Sequence, residues 1–162
     1  MANSDFIGRA KNIIIKELIK DQGIILGINS AKVTSPEKLK GTHIFDYHQN
    51  PNTINTVKTF ITVQVHISDP IIQNELFIRP TVEIWVISHE NHMTVDNIPK
   101  VNVNRNDYLS SLLDDKLNGY TGLGYGKLKL VSNLEGAYQQ NYLYRQMIFE
   151  TVDLNDSVCD LE

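Results

Sequence analysis

Two stretches decide the fold: residues 57–67, VKTFITVQVHI, and residues 76–88, LFIRPTVEIWVIS. In the first, Ile61, Val63, Val65 and Ile67 alternate with Thr62, Gln64 and His66, the period of a strand with one buried face. In the second, Val82, Ile84 and Val86 share one face, and Glu83, Trp85 and Ile87 share the other. Two apolar residues on the nominally outer face predict that a helix or a partner covers part of it. Pro80 has no N–H for a ladder and marks a strand edge or bulge near the start. The segment SDPIIQN, residues 68–74, separates the two strands.

Working outward, Ser4 or Asp5 caps a first helix, on which Phe6, Ala10, Ile13, Ile14 and Leu18 recur three or four apart. Gly23 and Gly27 end that helix, and IILGI reads as a short apolar segment. Residues 29–56 mix Pro36, Gly41 and Pro51 with polar residues and read as a long loop or arm, with a short strand around residues 43–47. Downstream, Asn104 or Asn106 caps a second helix, with Tyr108, Leu109, Leu112, Leu113 and Leu117 as its buried stripe and Gly119 as its end. GKLKLVSN alternates, with Leu128 and Leu130 inward, EGAY reads as a turn, and LYRQMIFETVDL as a long final strand. The order helix, loop, strand, strand, helix, strand, strand predicts an α+β fold. Its mainly antiparallel sheet has about four strands, with the N-terminal helix and the inserted helix on one face. The whole chain, residues 1–162, is read as a single domain with a flexible acidic tail over residues 157–162.

A formal net charge of −4 argues against a protein that grips nucleic acid by its phosphates. The single cysteine, Cys159, forms no internal disulfide and suits a reducing cytoplasm. No apolar run reaches the ~20 residues of a membrane span, and the N-terminus lacks a signal-peptide core.

The glycines of NGYTGLGYGKLKL, residues 118–130, raise the question of a phosphate loop. A dinucleotide fingerprint runs from a strand through glycines into a helix N-terminus. Here a helix precedes the glycines and a strand follows, so the nearer dipole end repels phosphate. The segment reads as a flexible connector. In SHENHM, His89 and His92 stand three apart instead of the four that a zinc-protease helix needs, and a solvated turn is expected. Neighbouring Asp114 and Asp115 point about 100° apart on a helix and form no acid/base pair. No enzyme and no cofactor or metal site is expected. A small nucleotide- or metal-binding enzyme is the alternative from another class.

The segments TFITVQVHI, LFIRPTVEIWVISHENHM, NRNDYLSSLLDDKLNG, YGKLKLVSNLEG and YLYRQMIFETVDLND resemble, in their order, the neck proteins of tailed bacteriophages. They most resemble the tail-terminator (tail-to-head joining) family. The likeness covers roughly residues 59–156, and the long 29–56 segment departs from it. The resemblance implies a homo-oligomeric ring, usually a hexamer, that ends the tail tube and joins it to the DNA-filled head. Its partners would be copies of itself, the tube protein and head-closure or adaptor proteins. DNA would only pass through the lumen, no membrane would be involved, and the ring would be assembled in the host cytoplasm and kept in the virion neck. Another neck component, a head-closure or adaptor protein, is the nearest alternative. Head-to-tail closure needs two unlike patches. Candidates for the subunit interface are Trp85, Ile87, Tyr138, Tyr142, Tyr144 and Arg145, although Arg145 reads equally as a plain surface residue. Asp153, Asp156, Asp160 and Glu162 either line an acidic lumen or dock on a neighbour, a frayed tail being the other reading.

Overall fold

A computed structural model describes residues 3–30, 35–51, 56–67, 74–138 and 141–155. Its elements are α1 (Asn3–Leu18), α2 (Gln22–Ile28), β1 (Ile44–Phe45), β2 (Thr59–Ile67), β3 (Phe77–Ile78), β4 (Pro80–His89), α3 (Arg105–Leu117), β5 (Lys129–Tyr138), β6 (Tyr142–Glu150) and β7 (Asp153–Leu154). The main sheet has the order β1-β2-β4-β6-β5, and β3 pairs with β7 in a second, two-stranded sheet. All pairings are antiparallel except β1 with β2. The fold is therefore α+β and mainly antiparallel, with five strands in the main sheet where the sequence pattern predicts about four.

The expected alternation places the core. Ile61, Val63 and Val65 of β2 and Val82, Ile84 and Val86 of β4 face the helices and are buried. Met147 and Phe149 of β6 continue this face, opposite Ile84 and Val82. From the other side, α1 contributes Phe6, Ala10, Ile14, Ile15 and Leu18, and α3 contributes Leu109, Leu113 and Leu117. Each such buried side chain is worth about 1.5–3 kcal/mol, so this one-sided layer dominates the stability. Asn104 caps α3 by accepting from the Asp107 N–H at 2.9 Å.

Three local readings are corrected. The IILGI segment belongs to α2, because the Asp21 carboxylate accepts from the N–H groups of Gly23 and Ile24 at 2.9 and 3.1 Å. That cap nucleates a turn where the isoleucines alone would favour a strand. Gly27 then lets α2 lie close on α3, since a Cβ there would stand 2.5 Å from Leu109 Cδ2. EGAY is no turn: it lies inside β5, paired with residues 142–145 of β6, and a bulge between Leu130 and Ser132 takes up the register. The final strand is two elements, β6 and β7, separated by Thr151 and Val152.

The 29–56 segment, expected as a loop or arm, includes a 3₁₀ turn (Pro36–Leu39) and β1, and buries Leu39, Ile44 and Phe45. Its residues 31–34 and 52–55 lie outside the described ones. The glycine-rich segment is a helix-to-strand joint, as its order implies, but an anchored one. Gly119 (φ +90°) donates to the Leu128 carbonyl at 2.7 Å, and Leu123 and Leu128 are buried. Gly126 donates to the Val152 carbonyl at 2.9 Å, and a Cβ there would meet the Val152 nitrogen at 2.8 Å.

Candidate functional site

On the face of the sheet away from the helices, β2 presents Phe60, β4 presents Trp85 and Ile87, β6 presents Tyr142 and Tyr144, and β5 presents Tyr138. Cross-strand pairing brings these rings together. The Trp85 and Tyr144 centroids are 4.6 Å apart, and Tyr138 meets Trp85 edge-on at 6.4 Å. The chain following β1 folds back onto its own sheet, with the His48 ring 5.6 Å from Trp85 and 5.9 Å from Tyr138. Glu83 fixes the tryptophan: its Oε1 accepts from Trp85 Nε1 at 2.7 Å and from Gln146, and its Oε2 is 3.1 Å from His66 Nε2.

The six interface candidates divide. Trp85, Tyr138 and Tyr144 come together on this half-exposed face. Ile87 and Tyr142 do not remain surface residues. They join Phe45 and Phe60 in a small second core, in which Tyr142 meets Phe60 edge-on at 6.3 Å. Arg145 points to the opposite face, where its Nε and Nη2 donate to Asp107 Oδ1 at 2.7 and 2.6 Å and Nη2 lies 3.4 Å from Glu135. Its partner is α3 of the same chain. Beyond the aromatic cluster lies β5, an edge strand paired only with β6, with Val131 and Leu134 exposed. Helical cover ends before it.

Of the acidic candidates, Asp153 alone lies among the described residues. It is 8% exposed in β7, packed behind Gly124, with its carboxylate 3.8 Å from Arg9 Nη2 and accepting from the Leu154 N–H at 3.0 Å. The pairing of β7 with β3 draws it inward. Asp156, Asp160 and Glu162, like Cys159, lie outside the described residues.

The histidines of SHENHM serve structure. His89 caps a 3₁₀ turn (Glu90–His92) by accepting from the Asn91 N–H at 3.1 Å. His92 Nδ1 is 2.8 Å from Thr59 Oγ1, which in turn is 2.7 Å from Ser88 Oγ. Among the described residues no group of three or more His, Cys, Asp or Glu side chains could hold a metal.

Sequence reasoning misses Arg105. Its side chain is wholly buried, and its three nitrogens donate to the carbonyls of His92, Gly27 and Thr94, each at 2.6 Å. It ties together α2, the segment after β4 and the start of α3. One signal was available: a cation in the first turn of a helix opposes the macrodipole and needs another reason to be there. Burial pushes the guanidinium down, with Asp96 opposing. Burial and then Arg105 push His92 down in turn, against the pull of Asp96.

Among the described residues, no helix is long and apolar enough to cross a membrane. No curated protein matches the chain. The YomW family does match, over residues 12–151, which spans α1 from its middle to the end of β6 and so takes in the helix layer, the main sheet and the aromatic face. The chain therefore belongs to the YomW family, which is phage-derived.

Proposed function

We propose that this protein is a structural component of a tailed-phage neck. It would form a ring, a hexamer by resemblance, that terminates the tail tube and joins it to the DNA-filled head. One observation carries the reading: the aromatic face of Trp85, Tyr138 and Tyr144, on the side of the sheet away from the helices, runs into the edge strand β5, which pairs only with β6. A sheet with half-exposed aromatic groups on its helix-free side and a free edge is suited to bury both against another chain. The phage-derived family and the segment order that resembles tail terminators support the same reading. On this reading the chain works by assembly, with no catalytic step, and the patch seats on an unlike surface of the next copy.

The test is light scattering of the purified protein, alone and with purified tail tubes, for the parent and for Leu134→Glu. Leu134 is 57% exposed, so the charge leaves the fold intact while disrupting the patch. A ring that falls to smaller species in the variant supports the proposal. A monomer under every condition that also ignores tail tubes overturns it. Negative-stain images of particles lacking the protein then separate the neck roles: overlong tails mean lost termination, and leaky heads transfer the chain to head closure.

A further inference from the structure

A cavity of about 880 Å³ opens where the 3₁₀ turn before β1, the start of β2 and the turn after β4 converge. Ile28, Phe45 and Val57 give it an apolar wall. Lys38, Lys40 and Lys58 give it positive charge, His43 and His92 add two imidazoles, and no Asp or Glu is among the described lining residues. Its volume lies within the range of small-molecule sites, which combine apolar walls with a few placed polar groups.

We propose that this cavity binds a small molecule carrying a phosphate or carboxylate on an apolar body. Lys58 is the principal anchor. Its ammonium donates to the Thr42 carbonyl at 2.8 Å and lies 5.6 and 5.9 Å from the Phe45 and Phe60 ring centroids, so its place is fixed before any ligand arrives. Lys40, which also lines the cavity, donates from Nζ to Asn12 Oδ1 of α1 at 3.0 Å. His43 is buried, with Nδ1 3.1 Å from Thr42 Oγ1. The charged groups around the histidines are Lys38 and Lys40 on the turn before β1, Lys58 leading into β2, His89 beside His92, Arg105 of α3 behind it, and Asp96 on the following loop. Glu37 and Glu90 stand on the same two turns, outside the described lining. Burial, Lys58 and His92 together push His43 down to about 4, and burial alone pushes the Lys58 ammonium down. An anion in the cavity favours the protonated form of both groups and so opposes these shifts, and binding should strengthen as pH falls.

The proposal goes beyond the neck reading and is tested apart from it, by titration calorimetry on the intact chain in whatever oligomeric state it holds. The probes are phenyl phosphate, benzoate, inorganic phosphate and phenol. Phenyl phosphate or benzoate is expected to bind once per chain and to bind more tightly than inorganic phosphate or phenol, and which of the two wins identifies the head group. Benzoate, singly charged throughout, should bind more tightly at about pH 6 than at about pH 8. Lys58→Met should weaken the better probe by about tenfold or more. Because Lys58 also holds the Thr42 carbonyl, Lys40→Met is the second variant, and circular dichroism verifies that both fold. No heat and no rise in melting temperature at millimolar probe overturns the proposal, as does phenol binding as well as phenyl phosphate or unaltered affinity in both variants.

Discussion

Arg105 Nη1 donates to the Gly27 carbonyl at 2.6 Å, joining two residues 78 positions apart in the chain. Nε and Nη2 of the same guanidinium hold the carbonyls of His92 and Thr94. Arg105→Met would leave three inward-facing carbonyls without a donor and is expected to cost about 3 kcal/mol or more. Arg105→Lys should recover only part of this, because a point charge cannot reach three carbonyls that a planar fork spans. Urea melts of the two variants against the parent measure both.

Stability should fall on acidification between about pH 6.5 and pH 4, and His43 is one cause. Its proton is held more weakly when folded, at about 4, than when unfolded, at about 6.5. The unfolded chain therefore binds more protons across this window, and stability is full above it and lost as pH drops through it, by about 1–3 kcal/mol. His43→Leu should flatten that part of the profile, as read from melting temperatures in a pH series.

Two glycines call for opposite outcomes from the same substitution. At Gly126 a Cβ would stand 2.8 Å from a backbone nitrogen that cannot move aside, so Gly126→Ala should destabilise by about 1–3 kcal/mol. At Gly8, inside α1, nothing lies within 4 Å, and Gly8→Ala should stabilise by about 0.5–1 kcal/mol. Denaturant midpoints of the pair give the sign directly.

Arg145 and Asp107 tie β6 to the first turn of α3, and Asp107 Oδ2 also accepts from Asn104 Nδ2 at 2.7 Å. Both residues are partly exposed, so Arg145→Ala should cost only about 1 kcal/mol, and less in high salt. If Arg145 instead met a neighbouring subunit, its removal would change oligomer size at constant melting temperature. Light scattering and melting on one sample discriminate.

The sheet was readable in the sequence because period two in β2 and β4 reports directly which side chains are buried. Trp85 and Ile87 on the second face were readable for the same reason, although what covers Ile87 was not. It is covered by Phe45 and Tyr142, which arrive from distant parts of the chain. The helical state of α2 depends on the side chain of Asp21, since IILGI alone suits either state. Asp153 looked solvated in an acidic run, and only the pairing of Ile78 with Asp153 shows why it is not. Arg105 was hidden because its acceptors are main-chain carbonyls, which carry no residue signature, and because they come from three separate segments.

With one ladder neighbour, β5 leaves a ten-residue edge of the main sheet open. The Leu130 N–H donates to Asn118 Oδ1 at 3.2 Å, and the other outward amides of β5 face solvent in a lone copy, so they should exchange with deuterium before those of β2 and β4. Whatever settles against this hairpin therefore registers first as slowed exchange from residue 129 to residue 138, ahead of any change in the helices.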